Sequence, residues 1–167
     1  MPYHRASMSV EAKALRGALG RYATGVTITT CQGADGRPVG LTVNSFNALS
    51  LDPPLVLWSL RSASPALPAF RAASHFAVNV LAEDQIGLSH RFAGRSHDRF
   101  AEGHWSAGRG GAPVLGGCLA VFECAAEREV LAGDHVLFIG RVQAVHESSQ
   151  APLVFHGGLY HRLGSSL

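Results

Sequence analysis

The sequence predicts a mainly β fold, a closed or partly closed antiparallel barrel with a few short helices. Segments in which apolar and polar residues alternate outnumber the helical segments, and Asp-Gly or Gly-Asp turns join several of them. Consecutive hairpins favour an antiparallel barrel over a sheet of βαβ units. The 167 residues fit one domain, with its core at about 14–163 and flexible tails at 1–9 and 164–167.

The first elements are a helix and a hairpin. Apolar residues at i, i+3 and i+4 spacing predict a helix over 10–22, with Ser9 as its N-cap. The period then changes to two, and β-branched residues predict strands over 25–31 and 39–44. An Asp-Gly turn within 33–38 connects these strands into a hairpin.

The middle of the chain alternates strands with short helices. Asp-Pro-Pro at 52–54 precedes a short apolar run at 55–60, which is typical of a strand buried on both faces. We expect a helix over 65–73, a strand over 76–81 and a helix over 83–92.

The last third contains a long loop followed by long strands. Seven glycines and little periodicity over 94–117 predict a loop with at most a short strand or turn, and loops of that length usually have a function. Two runs at 118–130 and 135–147, divided by a Gly-Asp turn, predict a second hairpin. Further short strands are expected at 153–155 and 160–163.

The composition limits which binding partners and which cellular compartment we expect. With 47% apolar and only 16% charged residues, the chain has more apolar surface than one small sphere hides, so we expect a homodimer. A net charge of +2, with scattered arginines, argues against a nucleic-acid partner. Three cysteines without C-x-x-C spacing indicate neither disulfides nor zinc, and we expect a reducing cytoplasm. No segment has the pattern of a signal peptide or a membrane span.

A phosphate site is the first chemical hypothesis. Ser64 suits a helix N-cap and Pro65 the first helical position, directly after a buried strand. The free N–H groups of that first turn, with Ser62, Ser64 and Arg61, are groups that bind a phosphate. The alternative is that Ser64 only caps its helix.

Two other places carry candidate polar groups. Thr42, Asn44 and Ser45 stand where a strand ends, where hydroxyl and amide groups can bond the edge of a planar heteroaromatic ligand. His135, beside Asp134, is a candidate donor or proton carrier in a cleft. A solvated strand face and a structural histidine are the respective alternatives, and spacing alone does not decide between them.

Missing motifs argue against a P-loop enzyme, an α/β-hydrolase and a Rossmann dehydrogenase. The chain has no P-loop, no G-x-S-x-G, and no G-x-G-x-x-G between a strand and a helix. The nine histidines never adopt metal-ligand spacing, so we expect no metal.

A set of motifs in fixed order resembles the short-chain NAD(P)H:flavin oxidoreductases, the flavin reductase-like family. These proteins include the reductase components of two-component flavin-dependent monooxygenases, such as that of 4-hydroxyphenylacetate 3-monooxygenase. The similarity covers about 14–163, and its most diagnostic pair is SFNALSLDPPLV followed by GDHVLFIG. The other motifs are RYATGVTITT, SASPAL, FAVNVL, LSHRFAG and PVLGGCLAVFEC.

The resemblance implies a homodimeric split β-barrel of the FMN-binding Greek-key type, with one flavin per subunit near the dimer interface. Ser62 and Ser64 would bind the flavin phosphate, and His135 would lie near the ring face where nicotinamide stacks, as the catalytic candidate. The other implied cofactor contacts are the strand end Thr42, Val43, Asn44 and Ser45, the backbone of Ser59 and Leu60, Arg91 and Phe92 closing over the flavin, and His156 and Tyr160 at the pyridine nucleotide.

The implied activity is hydride transfer from nicotinamide C4 to flavin N5, supplying reduced flavin to a partner monooxygenase. The resemblance leaves FMN (preferred) or FAD, and NADH (mildly favoured) or NADPH, as alternatives. Two rival functions remain: an oxidoreductase that retains FMN and reduces a ferric chelate or a quinone, and a non-catalytic flavin-binding module.

Overall fold

Across residues 10–167, which the computed structural model describes, the chain is mainly β with a few short helices, as predicted. Single 3-10 turns lie at Glu83–Gln85, Arg99–Ala101 and Arg109–Gly111. The elements are α1 Ala12–Leu19, β1 Thr24–Gly25, β2 Thr27–Gln32, β3 Pro38–Val43, β4 Asn47–Leu51, β5 Pro54–Arg61, α2 Leu67–Ala72, β6 His75–Val80, α3 Ile86–Ala93, β7 Trp105–Ala107, β8 Pro113–Leu115, β9 Ala120–Ala132, β10 His135–Glu147, β11 Leu153–His156 and β12 Leu159–Arg162.

Within residues 10–167 the strands form three antiparallel sheets. The largest has seven strands in the order β3-β2-β6-β9-β10-β5-β4. A three-stranded sheet has the order β1-β11-β12, and β7 pairs with β8. The two predicted turns join the β2–β3 and β9–β10 hairpins, with glycines of positive φ at Gly36 and Gly133, and a third turn, at Gly157 and Gly158, joins β11 to β12.

The large sheet curls around one core, so that its two ends approach each other. Trp58 of β5 is fully buried, stacks on Phe138 with ring centroids 4.9 Å apart, and meets the ring of Phe70 edge-on. Leu41 and Val43 of β3, from the opposite end of the sheet, pack against the same core. This curvature brings the end of β3 beside β5.

Strand β5 is covered unequally on its two faces, which corrects the expectation of a strand buried on both. Val56, Trp58 and Leu60 point into the core, whereas Leu55 and Leu57 are only half-buried on the outward face. The apolar run concealed this difference because both faces of the strand carry leucine or valine.

The helices are shorter than predicted. Helix α1 begins after Glu11 and ends at Leu19, and the proposed cap Ser9 lies outside the described residues. Helix α2 begins at Leu67 rather than at 65, because Ser64 accepts a hydrogen bond from the N–H of Ala66 in a turn that precedes the helix. The predicted helix at 83–92 is a 3-10 turn continued by α3.

Two sheet elements were not anticipated in full. The edge strand β4 was missed because its residues are mostly exposed and therefore show no alternation. The glycine-rich segment 94–117 contains the hairpin β7–β8 rather than an open loop. It packs on a second core, where Phe92, Phe100 and Trp105 meet with ring centroids 4.8–5.4 Å apart.

Candidate active site

A crevice of about 660 Å³ lies where the two ends of the large sheet meet, within the size range of small-molecule sites. The end of β3 forms one side, and the end of β5 with the turn that follows forms the other. His135, the first residue of β10, stands between them because it pairs in register with Arg61.

Most of the predicted site residues meet in this crevice. Sequence reasoning assigned no ligand contact to Leu41, Ala63 and Pro65, and it placed Arg61 only at the phosphate. The sequence offers only their position as a signal. Leu41 precedes the polar strand end, and the other three residues lie at or just after the end of an apolar run. The predicted residues that line the crevice are Thr42, Val43, Asn44, Ser45, Ser59, Leu60, Ser64 and His135.

Ser45 joins the two sides of the crevice. Its hydroxyl donates to the carbonyl of Ser59 at 2.9 Å and accepts from the N–H of Ser59 at 3.0 Å, as a neighbouring strand would. The expectation that the backbone of Ser59 is offered to a ligand is therefore wrong for these two groups. Ser45 contributes by holding the strand end in place.

The other polar groups of the strand end differ in how they are paired. The hydroxyl of Thr42 donates to the carbonyl of Ser89 at 2.7 Å, which ties β3 to α3. Asn44 is exposed, and its amide has no hydrogen-bond partner within residues 10–167. Asn44 is therefore the strand-end side chain that is free to bond a ligand.

The turn after β5 retains fewer donors than predicted. The N–H of Ser62 donates to the backbone carbonyl of Asp134, and that of Ser64 donates to the carbonyl of Arg61, each at 2.9 Å. Among the described residues, the N–H of Ala63 finds no acceptor and the guanidinium of Arg61 finds no carboxylate. Ser62 is exposed in this turn but does not line the crevice. An anion here would meet Arg61, the N–H of Ala63 and the hydroxyl of Ser64.

His135 has one ring nitrogen engaged. Its Nδ1 lies 2.7 Å from Oδ1 of Asp134, and its side chain is 41% exposed. The hydrogen bond from His135, with its charge, holds the pKa of Asp134 below the usual range of a carboxyl group. A proton held on Nδ1 by this carboxylate leaves Nε2 for a ligand, since it has no partner among the described residues.

A smaller cavity of about 190 Å³ adjoins the crevice across the end of β3. It shares Thr42, Val43 and Asn44 with the crevice and is closed by Tyr160 and Phe155 of the β11–β12 hairpin. The hydroxyl of Tyr160 lies 2.7 Å from the hydroxyl of Ser89. The structure thus places Tyr160 beside the strand end.

Arg91, Phe92 and His156 line neither of these two cavities. Phe92 is 1% exposed in the second core, so it is a core residue rather than a lid over a ligand. The guanidinium of Arg91 bonds the carbonyls of Asp98 and Arg99 and the carboxylate of Glu102. His156 accepts a hydrogen bond through its carbonyl from His161.

The described residues offer no thiolate nucleophile and no cluster of metal ligands. Burial raises the pKa of each of the three free cysteines to about 12, which removes them as thiolate nucleophiles. No group of three potential metal ligands occurs in residues 10–167, and no helix there is long and apolar enough to cross a membrane.

Comparison with known proteins shows which family the chain resembles. The family model of the flavin reductase like domain matches residues 19–164. A probable flavin reductase of Rhizobium meliloti is 45% identical over 148 residues, which are 89% of this chain and 48% of that protein. The FMN reductase (NADH) SmoA of Agrobacterium fabrum is 45% identical over 150 residues, 90% of this chain and 85% of that protein. The chain thus spans about half the length of the first relative and most of the second.

Solved structures show the same similarity. The NADH:FAD oxidoreductase SgcE6 of Streptomyces globisporus, determined with NAD and FAD fragments, has a TM-score of 0.85 at 36% identity, covering 90% of this chain and 91% of that one. The styrene monooxygenase flavin reductase of Pseudomonas putida has a TM-score of 0.83 at 36% identity, covering 91% and 98%.

Proposed function

The chain belongs to the flavin reductase-like domain family, and on that premise we propose that it is an NAD(P)H:flavin oxidoreductase with FMN as the preferred flavin. FAD is the alternative flavin, and NADH is the favoured donor. The observation that carries the proposal is the crevice, which has an unpaired amide at one side and unpaired cationic and N–H donors at the other.

The residues of the crevice fit a flavin mononucleotide. Its isoalloxazine edge needs donors and acceptors in one plane, and the amide of Asn44 supplies both. Its phosphate needs positive charge and N–H donors, which Arg61 and Ala63 supply together with the hydroxyl of Ser64. Leu41 and Val43 provide apolar surface for the ring.

When bound, the flavin supplies the hydride-accepting N5, and the dihydronicotinamide supplies the hydride. The protein binds and orients the two rings. The Ser45–Ser59 and Thr42–Ser89 hydrogen bonds hold the strand end, and with it the backbone from which the side chain of Asn44 extends. Hydride transfer between the two rings requires no general base among the side chains.

We assign His135 and Tyr160 to the nicotinamide side of the site. His135 offers Nε2 at the crevice while Asp134 holds its other nitrogen. Tyr160 closes the adjoining cavity from the opposite side of the strand end. We also assign the hydroxyl of Ser62 to the phosphate, since this residue is exposed in the turn beside Arg61 and Ala63.

The outward sheet face supports a homodimeric split barrel. Leu57 pairs in register with Ile139, and Ser59 with Leu137, so half-buried apolar residues of β5 and β10 share one face with the crevice residue His135. Leu15 and Leu19 of α1 are exposed as well. A second copy covering these residues would place the flavin beside the interface, and light scattering of the purified protein measures the stoichiometry.

The role we propose is to supply reduced flavin to a separate monooxygenase in the cytoplasm. The name of the Pseudomonas relative, the flavin reductase of a styrene monooxygenase, supports such a partner. Three reduced cysteines agree with a reducing compartment. A flavin that must leave requires modest affinity, about micromolar or ~−8 kcal/mol.

The test is oxidation of NADH and NADPH by the purified protein with FMN, FAD or riboflavin added in turn, and with none added. We expect turnover that depends on added flavin and saturates with it. Flavin that stays bound through gel filtration would instead indicate a retained cofactor, and flavin binding without NAD(P)H oxidation would indicate a binding module.

The matched variants are Asn44→Ala in the crevice and Asn47→Ala on the neighbouring edge strand. Asn47 is also an exposed asparagine, but its side chain bonds only the N–H of Ala48. The KM for FMN should rise in the first variant and remain unchanged in the second. Equal behaviour of the two variants would remove Asn44 from the site.

A further inference from the structure

A second cationic depression lies apart from the crevice, between the end of α1 and the turn of the β11–β12 hairpin. It is a groove of about 480 Å³ lined by Arg16, Arg21 and four glycines. The glycines are Gly17, Gly20, Gly157 and Gly158. A Cβ built on Gly17, Gly157 or Gly158 would meet nothing within 4 Å, so the backbone is open to a bound group.

Both arginines are available to an anion. Most other arginines of the described chain are committed to carboxylates or carbonyls, but neither Arg16 nor Arg21 makes such a bond within residues 10–167. The committed ones are Arg37, Arg71, Arg91, Arg99, Arg141 and Arg162. Two guanidinium groups beside one groove supply the bidentate donors that phosphate recognition uses.

The hairpin turn adds backbone donors. Gly157 and Gly158 have φ of 59° and 82°, and successive N–H groups in such a turn form an anion-binding concavity. The N–H of Gly157 donates to the carbonyl of Gly20, while that of Gly158 is free of a partner among the described residues. The negative end of α1 opposes an anion only weakly, because the carbonyls of Arg16, Ala18, Leu19 and Gly20 already accept hydrogen bonds.

The position of the groove relates it to the crevice. The turn at Gly158 is two residues from Tyr160, about 7 Å along a strand, and Tyr160 closes the cavity that adjoins the crevice. One hairpin therefore borders the groove at its turn and the active site on its strand. A dinucleotide has two halves joined by a diphosphate, and this hairpin borders one depression for each half.

We propose that this groove binds a phosphate of the adenosine half of the nicotinamide dinucleotide, through Arg16, Arg21 and the N–H of Gly158. The inference rests on the proposed reductase function, since it assigns the second half of that substrate. It also predicts that the KM for the nucleotide rises with ionic strength, because exposed charge pairs are screened by salt.

The first experiment measures binding of ADP-ribose by calorimetry, which requires no turnover and no flavin. The probe carries the adenosine and the diphosphate without nicotinamide. We expect binding to the wild-type protein and about a tenfold weaker association in the Arg16→Ala/Arg21→Ala double variant. The affinity should recover in part in the Arg16→Lys/Arg21→Lys variant, which keeps the charge but not the bidentate donors. The control is Arg95→Ala/Arg128→Ala, which removes the same charge at two other exposed arginines.

The second experiment compares the KM for NADH, NADPH and reduced nicotinamide mononucleotide in the same variants. The KM for both dinucleotides should rise, while that for the mononucleotide, kcat and the KM for FMN stay unchanged. A rise in the KM for FAD alone would assign the groove to the flavin adenylate and overturn the proposal.

Failure of the inference is distinguishable from failure of the reductase function. Normal flavin-dependent turnover with unchanged dinucleotide KM and no ADP-ribose binding overturns the groove alone. No turnover with any flavin overturns the reductase, while ADP-ribose binding that requires both arginines would still establish the phosphate site.

Discussion

The crevice and the glycine-rich segment 94–117 differ in how their polar groups are paired. In the segment, Arg99 bonds the carbonyls of Gly40 and Gly94, and the N–H of Leu115 bonds the buried side chain of Asn79. The N–H of Arg109 bonds Glu123 at 2.7 Å. The segment is thereby anchored to the barrel at several points.

The crevice shows the opposite pattern. Ser45 and Thr42 are used internally, but Asn44, Arg61, the N–H of Ala63 and Nε2 of His135 remain without partners in the part of the chain that the structure describes. Exposed groups of this kind are hydrated when no ligand is bound, so it is their convergence on one concave crevice that indicates a ligand site. The comparison teaches that hydrogen-bond pairing of the polar groups, rather than glycine content or loop length, distinguishes the binding crevice from the packed segment 94–117.

The largest expected effect on stability comes from Phe92→Ala in the second core. Removing this buried ring should cost about 3–5 kcal/mol in the free energy of unfolding, because the cavity remains beside Phe100 and Trp105. Urea unfolding measures the loss, and FMN affinity well below the transition should not change. A stable variant that no longer binds FMN would make Phe92 a site residue and break the comparison.

The second-largest effect on stability is expected at Glu123, whose carboxylate anchors segment 94–117 through the N–H of Arg109. Burial alone would raise the pKa of this carboxyl, but the N–H of Arg109 and the imidazole of His146 lower it below 4.5. The pKa of Glu123 is thus lower in the folded protein than in the unfolded chain. The stabilisation that the ionised carboxylate provides is therefore complete above the unfolded-state pKa, and it is lost as the pH falls through the folded-state pKa.

Glu123→Gln should therefore lower the free energy of unfolding at neutral pH by about 1.5–3 kcal/mol. The difference from the wild type should shrink as the pH falls below 4.5. Urea titrations across this range measure it, with Glu147→Gln on the exposed end of β10 as the control. A difference that stays constant down to strong acid would contradict the assignment.

A smaller effect is expected for Ser45→Ala at the edge of the crevice. The substitution leaves the N–H and carbonyl of half-buried Ser59 without their partner, at about 1–2 kcal/mol. FMN affinity should fall as well, because the strand end loses its attachment to β5. Ser106→Ala on exposed β7 is the control, and unaltered stability of Ser45→Ala would mean that the bridge contributes nothing.

The smallest effect on stability, with the sharpest effect on function, is expected for Asn44→Ala. An exposed side chain without partners should change stability by no more than about 0.5 kcal/mol. FMN affinity should fall about tenfold, or ~1.4 kcal/mol, as measured by flavin fluorescence. A large loss of stability would show that Asn44 is paired in the folded protein, against the contrast drawn between the two regions.

The sequence by itself determined the fold class, the main strands and most of the crevice. Alternation and Asp-Gly or Gly-Asp turns depend on neighbouring residues, so β2, β3, β6 and the β9–β10 hairpin could be predicted locally. The ordered motifs identified the family and therefore the strand end at 42–45 and the turn at 62–64.

Only the tertiary structure decided which polar groups are free. Asn44 and Ser45 are adjacent and both carry small polar side chains. Ser45 bonds Ser59, fourteen residues away, whereas the side chain of Asn44 bonds nothing in the described chain. In the same way, the guanidinium of Arg91 is hydrogen-bonded to the 98–102 turn. Arg16 and Arg21 instead line a groove together with the turn at Gly157 and Gly158, more than 130 residues later in the chain. Such pairings depend on how distant segments meet when the sheet curls, and no local pattern records them.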